Sequence, residues 1–163
     1  MIVFLQNIFY FLPAELIVFL LGATPVSELR GAIPLALGVY GLSPVMAFVL
    51  STAGNILAGA IVIWLLGPIS GFLITRFNFA DKFFAWLFAR TRHKFAGKYE
   101  LWGELALIIF VAIPLPMTGA WTGAVASFLF GIPKKRALAL IGAGVIIAGL
   151  IVLSASLGFF HFI

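Results

Sequence analysis

Apolar residues run along this chain in five long stretches, roughly 2–22, 24–42, 43–67, 103–131 and 137–160, with polar or basic residues between them. Crossing the hydrocarbon takes about 20 apolar residues in a helix. Segments 43–67 and 137–160 meet that length without a charge and are expected to be transmembrane helices. Segment 2–22 is also long enough, although it holds Gln6, Asn7, Pro13 and Glu15. It lacks a basic start and a small-residue cleavage site, so it is expected to be a retained first span rather than a signal peptide.

The other two stretches contain a break. The tetrapeptide Ala-Ile-Pro-Leu occurs at 32–35 inside segment 24–42 and again at 112–115 inside segment 103–131. Proline removes a backbone donor and clashes with the preceding helical turn. In lipid, a broken helix persists only where protein or a water-filled cavity satisfies the freed backbone groups.

Charge orients the segments. Arg76, Lys82, Arg90, Arg92, Lys94 and Lys98 fall within 76–98 against a lone Asp81, and a second cluster is Lys134, Lys135 and Arg136. Both are expected on the cytoplasmic side of the cell membrane. Segment 103–131 lies between them, so it must enter and return to the same face as a re-entrant hairpin, turning near 114–119. By the same logic segment 24–42 begins and ends outside and turns near Gly31 and Pro34. The expected fold is an all-α integral membrane protein built as one membrane domain over 1–163. Its first half is 1–70, its basic cytoplasmic interfacial segment 72–100 and its second half 101–163. Each half is a re-entrant hairpin followed by a transmembrane helix, an inverted-topology repeat. Tyr40-Gly41-Leu42-Ser43-Pro44 and Phe130-Gly131-Ile132-Pro133, each leading into a glycine-containing span, extend the repeat.

Composition agrees with that class: 64% of residues are hydrophobic and 9% charged, against about 25% charged in soluble domains. The chain has no cysteine, which excludes disulfides and thiolate chemistry. No phosphate loop, dinucleotide motif or nucleophile–base arrangement is visible, so neither an enzyme nor a cofactor or metal is expected. The charges of 76–98 flank spans and interleave with aromatic residues. They suit contact with anionic membrane lipids rather than nucleic acid.

Candidate chemistry concentrates in the first broken segment. Thr24 can cap a helix with Pro25 in its first position, and that helix carries Glu28 and Arg30. Ionisable residues at membrane depth are functional candidates. Two residues apart, these two point to different faces of a regular helix and pair only if the turn is unwound. Arg30 can hold an anionic headgroup such as a phosphate, and Glu28 can carry a coupling proton; the alternative is an ion pair that pins the hairpin. The second hairpin has no charge at its turn. Gly119, Gly123, Ser127 and Gly131 recur at spacing four as a smooth packing face. Thr118 and Thr122 either line a polar path or bond back to their own helix. Asn55 is either an interhelical hydrogen bond or a ligand group, and Glu15 a transport carboxylate or a polar helix contact. Glycine-rich faces on so small a membrane chain also suit a homodimer.

Three stretches carry a family resemblance: Ser27-Glu28-Leu29-Arg30-Gly31-Ala32-Ile33-Pro34-Leu35, Gly54-Asn55, and 112–123, which reads Ala-Ile-Pro-Leu-Pro-Met-Thr-Gly-Ala-Trp-Thr-Gly. They resemble the signatures of the small multidrug export protein family, a remote relative of the DedA, or VTT-domain, superfamily. Met117 departs from the glycine usual there. The resemblance implies paired re-entrant hairpins and directs attention to Glu28, Arg30, Pro34, Pro114, Pro116, Thr118 and Gly119. DedA relatives are associated with moving phospholipids or polyprenyl phosphates, some with proton coupling. Three functions are therefore expected in order: a lipid or polyprenyl-phosphate translocase whose hairpins meet near the midplane, a proton-coupled exporter of small lipophilic cations, and a non-transporting membrane scaffold.

Overall fold

The computed structural model describes residues 12–76, 99–114 and 118–161. Within them the chain is all-helical: α1 (Ala14–Ala23), α2 (Glu28–Gly38), α3 (Pro44–Arg76), α4 (Tyr99–Ala112), α5 (Ala120–Leu129) and α6 (Lys134–His161). Two helices are long and apolar enough to cross a bilayer, over Pro44–Ser70 (27 residues) and Lys134–Phe159 (26 residues). At 1.5 Å per residue each is about 40 Å long, ample for a hydrocarbon core of about 30 Å. They are the two expected spans. Val49, Leu57, Ile61, Trp64 and Leu65 on α3 and Leu150, Ile151 and Leu157 on α6 remain exposed. Such a surface is an aggregation hazard in water and an ordinary exterior in lipid.

The chain forms two compact units, one of Met1–Leu57 with Ile146–Ile163, the other of Ala58–Val145. In the first unit α1 and α2 make a hairpin. Val18, Ala32, Ala36 and Ala47 form its core, with Leu21, Tyr40 and Leu50 packed around them. The hairpin lies on α3 through contacts that only glycine permits. Gly54 sits directly against the Phe19 carbonyl, and a Cβ on Gly22 would lie 2.5 Å from the Ser51 carbonyl oxygen.

The turn of this hairpin corrects the sequence reading. It falls at 24–27, not at Gly31 and Pro34, and the arms are 14–23 and 28–38 rather than the two ends of segment 24–42. Thr24 leaves α1 in an extended conformation, as a residue before proline prefers. Its hydroxyl donates to the Leu21 carbonyl at 2.8 Å and accepts the Ser27 N–H at 3.3 Å, so Thr24 closes α1 and the turn, whereas the helix start expected at Thr24-Pro25 falls at Glu28, whose N-cap Ser27 makes no side-chain capping bond. Pro34 lies inside α2; it forgoes one helical hydrogen bond, and the helix runs on to Gly38. Gly31 is needed for space, because the Ser27 hydroxyl occupies the position of a Cβ there. Of the expected first span, Gln6 and Asn7 lie outside the described residues, and Pro13 immediately precedes α1.

In the second unit α4 and α5 form the other hairpin, close to the expected 103–131, with its break at 113–119. Gly123 on α5 packs against Val111 of α4, and a Cβ on Gly144 of α6 would lie 2.9 Å from the Ile108 carbonyl oxygen. Glu104, near the start of α4, pairs with Arg136, near the start of α6, at 2.5 Å. α4 therefore starts beside the basic end of α6 and ends alongside its middle. In this unit α3 and α6 run antiparallel, since Gly59 meets Ile141 and Gly67 meets the Lys134 ammonium. That places Lys134, Lys135 and Arg136 at the Arg76 end of α3.

Local features recur between the halves. Gly41 and Gly131 both adopt left-handed φ, 61° and 68°, where glycine is free of Cβ strain. The next residue in each case bonds back into the preceding helix, Leu42 N–H to the Ala36 carbonyl and Ile132 N–H to the Ser127 carbonyl, both at 2.9 Å. Position 131 against 41 and 144 against 54 give a constant step of 90, whereas the Ala-Ile-Pro-Leu copies, 112 against 32, give 80. The tetrapeptides are thus not structural counterparts. The first lies within the second arm of its hairpin, the second at the end of a first arm.

The glycine contacts generate a test. Gly54→Ala and Gly144→Ala force a Cβ into backbone or branched side chain and should each cost about 1–3 kcal/mol, as overpacking does. Gly142 and Gly158 have nothing within 4 Å of an added Cβ, so their alanine variants should be neutral or slightly stabilising. Thermal unfolding of the four variants in detergent measures the difference.

Candidate functional site

The ionisable pair sits where the first hairpin restarts its helix. Glu28 opens α2 with φ of 46°, a left-handed conformation uncommon for a side chain of this size. Such a residue costs on the order of 1–3 kcal/mol and persists where its surroundings over-determine it. The unwound turn is what allows the pair to form: Glu28 Oε2 lies 3.8 Å from Arg30 Nη2. The Glu28 side chain is 9% exposed and that of Arg30 21%, so the carboxylate is the inner partner and the guanidinium the outer. The carboxylate also lies at the N-terminus of α2, where the helix dipole favours an anion.

The second hairpin's break is held by hydroxyls. Thr118 Oγ1 donates to the Ile113 carbonyl at 2.7 Å. Thr122 Oγ1 accepts the Gly119 N–H at 3.0 Å and lies 3.3 Å from the Gly119 carbonyl. Of the two readings open for these threonines, bonding to local backbone is the one the geometry displays. Pro114 lies in the break, Gly119 is buried just before α5, and Pro116 and Met117 lie outside the described residues. Along the spacing-four face, Gly123 and Ser127 are buried, while Gly131 serves the left-handed turn, and a Cβ added there would meet nothing within 4 Å. An apolar cavity of about 340 Å³ opens between the arms, lined by Gly103, Ala106, Leu107, Phe110, Ala126 and Phe130.

Of the remaining candidates, Glu15 is exposed in the first turn of α1. Asn55 is 1% exposed on α3. It has two neighbours that sequence reasoning passed over, Ser51 at 0% and Thr52 at 6%. Their one-turn spacing from Asn55 was the available signal. The two hairpins belong to different units, so Glu28 and Arg30 are found with the first and Thr118 and Thr122 with the second.

Two long apolar helices, each preceded by a hairpin of shorter ones, with a partly exposed ion pair in one hairpin, are the make-up of an all-helical membrane protein. Residues 28–151 match the family model described as "Putative small multi-drug export protein". That is well over half of the chain, which therefore belongs to this family. No curated protein matches it, and no solved structure does.

The pair can be tested by its asymmetry. Arg30→Gln leaves a buried carboxylate without its guanidinium, whereas Glu28→Gln with Arg30→Gln removes both charges. Breaking a buried pair is more damaging than replacing it. The single variant should therefore be the less stable of the two, by on the order of 1–3 kcal/mol because the pair is long and partly exposed. Thermal unfolding of both proteins in one detergent compares them.

Proposed function

We propose that this protein moves an amphipathic lipid with an anionic headgroup, a phospholipid or a polyprenyl phosphate, across the cell membrane. In this reading hairpins 14–38 and 99–129 are re-entrant and enter from opposite faces, with the basic ends of α3 and α6 cytoplasmic. The observation that carries it is the Glu28–Arg30 pair, in which the guanidinium is the more exposed partner. A guanidinium offers planar, bidentate recognition to a phosphate, and Glu28 offsets its charge when no substrate is bound. Burial of the pair at the restart of a broken helix resembles the substrate sites of transporters built from discontinuous helices. The likeness of the sequence motifs to the DedA superfamily points the same way.

A second reading, a proton-coupled exporter of lipophilic cations, is favoured by the family's description and by the uncharged lining of the cavity between α4 and α5. Here Glu28 is the proton carrier, because Glu15 lies exposed at the start of α1.

Reconstituted protein separates the two. Fluorescent phospholipid should cross proteoliposomes at least tenfold faster with wild type than with Arg30→Ala, with Arg30→Lys intermediate. Equal rates for wild type and Arg30→Ala remove the proposed site. Proton-driven uptake of a lipophilic cation into inverted vesicles, abolished by Glu28→Gln and indifferent to added lipid, establishes the second reading instead.

A further inference from the structure

The stretch Ser51-Thr52-Ala53-Gly54-Asn55 of α3 buries three oxygens that no described residue satisfies. Among the described residues Ser51 Oγ, Thr52 Oγ1 and Asn55 Oδ1 have no hydrogen-bond partner, and their residues are at least nine-tenths buried. Elsewhere the chain handles its hydroxyls differently. Thr24, Ser70, Thr118 and Ser127 each donate to a carbonyl three to five residues back, at 2.7–2.9 Å. A buried polar atom left unpaired costs about 1–3 kcal/mol, and lipid offers it no water. Three together on about one turn of one helix require an explanation.

Their placement supplies one. Ser51 and Asn55 are four residues apart, Thr52 and Asn55 three, so all three share one side of α3. The last turn of α1 lies on that stretch, with Gly54 against the Phe19 carbonyl and Gly22 against the Ser51 backbone. On α6, Gly149 leaves space beside Thr52, because a Cβ there would lie 3.1 Å from Thr52 Oγ1. All of these residues belong to the first compact unit. α1 ends at Ala23 with Thr24 extended, and a helix C-terminus carries a partial negative charge. The Asn55 amide oxygen accepts only, and both hydroxyls have lone pairs to offer, so a cation is the group that all three oxygens can hold at once.

We infer that Ser51, Thr52 and Asn55, against the C-terminal turn of α1, form a binding site for a dehydrated monovalent cation, Na⁺. The ligands are hard, neutral oxygens, the class that suits hard cations rather than soft transition metals. With no carboxylate among the three, a divalent ion is left uncompensated, since such ions draw on Asp and Glu. Carbonyl ends of interrupted helices hold coupling cations in other membrane transporters. The site stands on α1, α3 and α6 and does not depend on Arg30 or on the identity of the transported molecule.

The test is thermal unfolding of the purified full-length protein in detergent across an NaCl titration, with choline chloride holding ionic strength constant. Wild type should gain several degrees in a saturable way, as binding to the folded state alone requires. Ser51→Ala and Asn55→Ala should lose that gain, and Ser70→Ala, whose hydroxyl is bonded to Gly67, should keep it. In choline alone, Ser51→Ala should be at least as stable as wild type, because it removes an unsatisfied oxygen. The inference is overturned if wild type responds to Na⁺ no more than to choline. It is also overturned if both oxygen variants keep the Na⁺ response, or if Ser51→Ala is less stable by the same amount in both salts, the mark of a purely structural or water-bridged cluster.

Discussion

A helix that stops within a bilayer leaves backbone groups that lipid cannot satisfy, and in the proposed topology this chain has two such stops, one after Ala23 and one after Ala112. What makes the stops tolerable is close backbone contact with a long neighbouring helix. Gly54 admits the Phe19 carbonyl of one hairpin to the surface of α3, and Gly144 admits the Ile108 carbonyl of the other to the surface of α6. The hydroxyls of Thr24, Thr118 and Thr122 then satisfy backbone groups at the breaks themselves. Remove the close approach and each hairpin loses the support of its long helix.

The same geometry creates the chemistry. Because the first break ends in a left-handed residue, Glu28 and Arg30 can face each other across two positions that a regular helix would separate. Gly22 and Gly54 draw the end of α1 onto the stretch of α3 that carries Ser51, Thr52 and Asn55, whose three oxygens find no partner among the described residues. The second hairpin carries neither feature. It offers an apolar cavity and a turn sealed by its own threonines. The halves thus share a scaffold and differ in content, with electrostatics in the first and apolar space in the second.

Much of this was legible in the sequence. The two long spans followed from length and apolarity alone, and the second pair of short helices from the proline break within 103–131, while the two basic clusters bear on the proposed re-entrant course. The ion pair Glu104–Arg136 now ties the two helix starts together. The first hairpin was misplaced because Ala-Ile-Pro-Leu looked like the break in both halves. In 32–35 the proline is carried inside a helix whose neighbours keep it folded, and the turn falls to Thr24-Pro25, where proline stiffens the preceding residue. The feature that recurs locally in both halves is the pair of left-handed glycines, 41 and 131, whose conformation no other residue adopts as readily. Ser51 and Thr52 went unremarked because serine and threonine in an apolar helix normally bond to its own carbonyls. Only coordinates reveal that these two do not.

The central claim is that both hairpins return to the face they entered and that the two faces differ. The chain contains no cysteine, so single cysteines report cleanly. Glu15→Cys and Val39→Cys mark the two ends of the first hairpin, at exposed positions, and Phe130→Cys and Lys135→Cys the exit of the second and the start of α6. With a membrane-impermeant maleimide, the first two should label from one face of the membrane and the last two from the other. Labelling of Glu15→Cys and Val39→Cys from opposite faces, or of all four from the same face, would contradict the account.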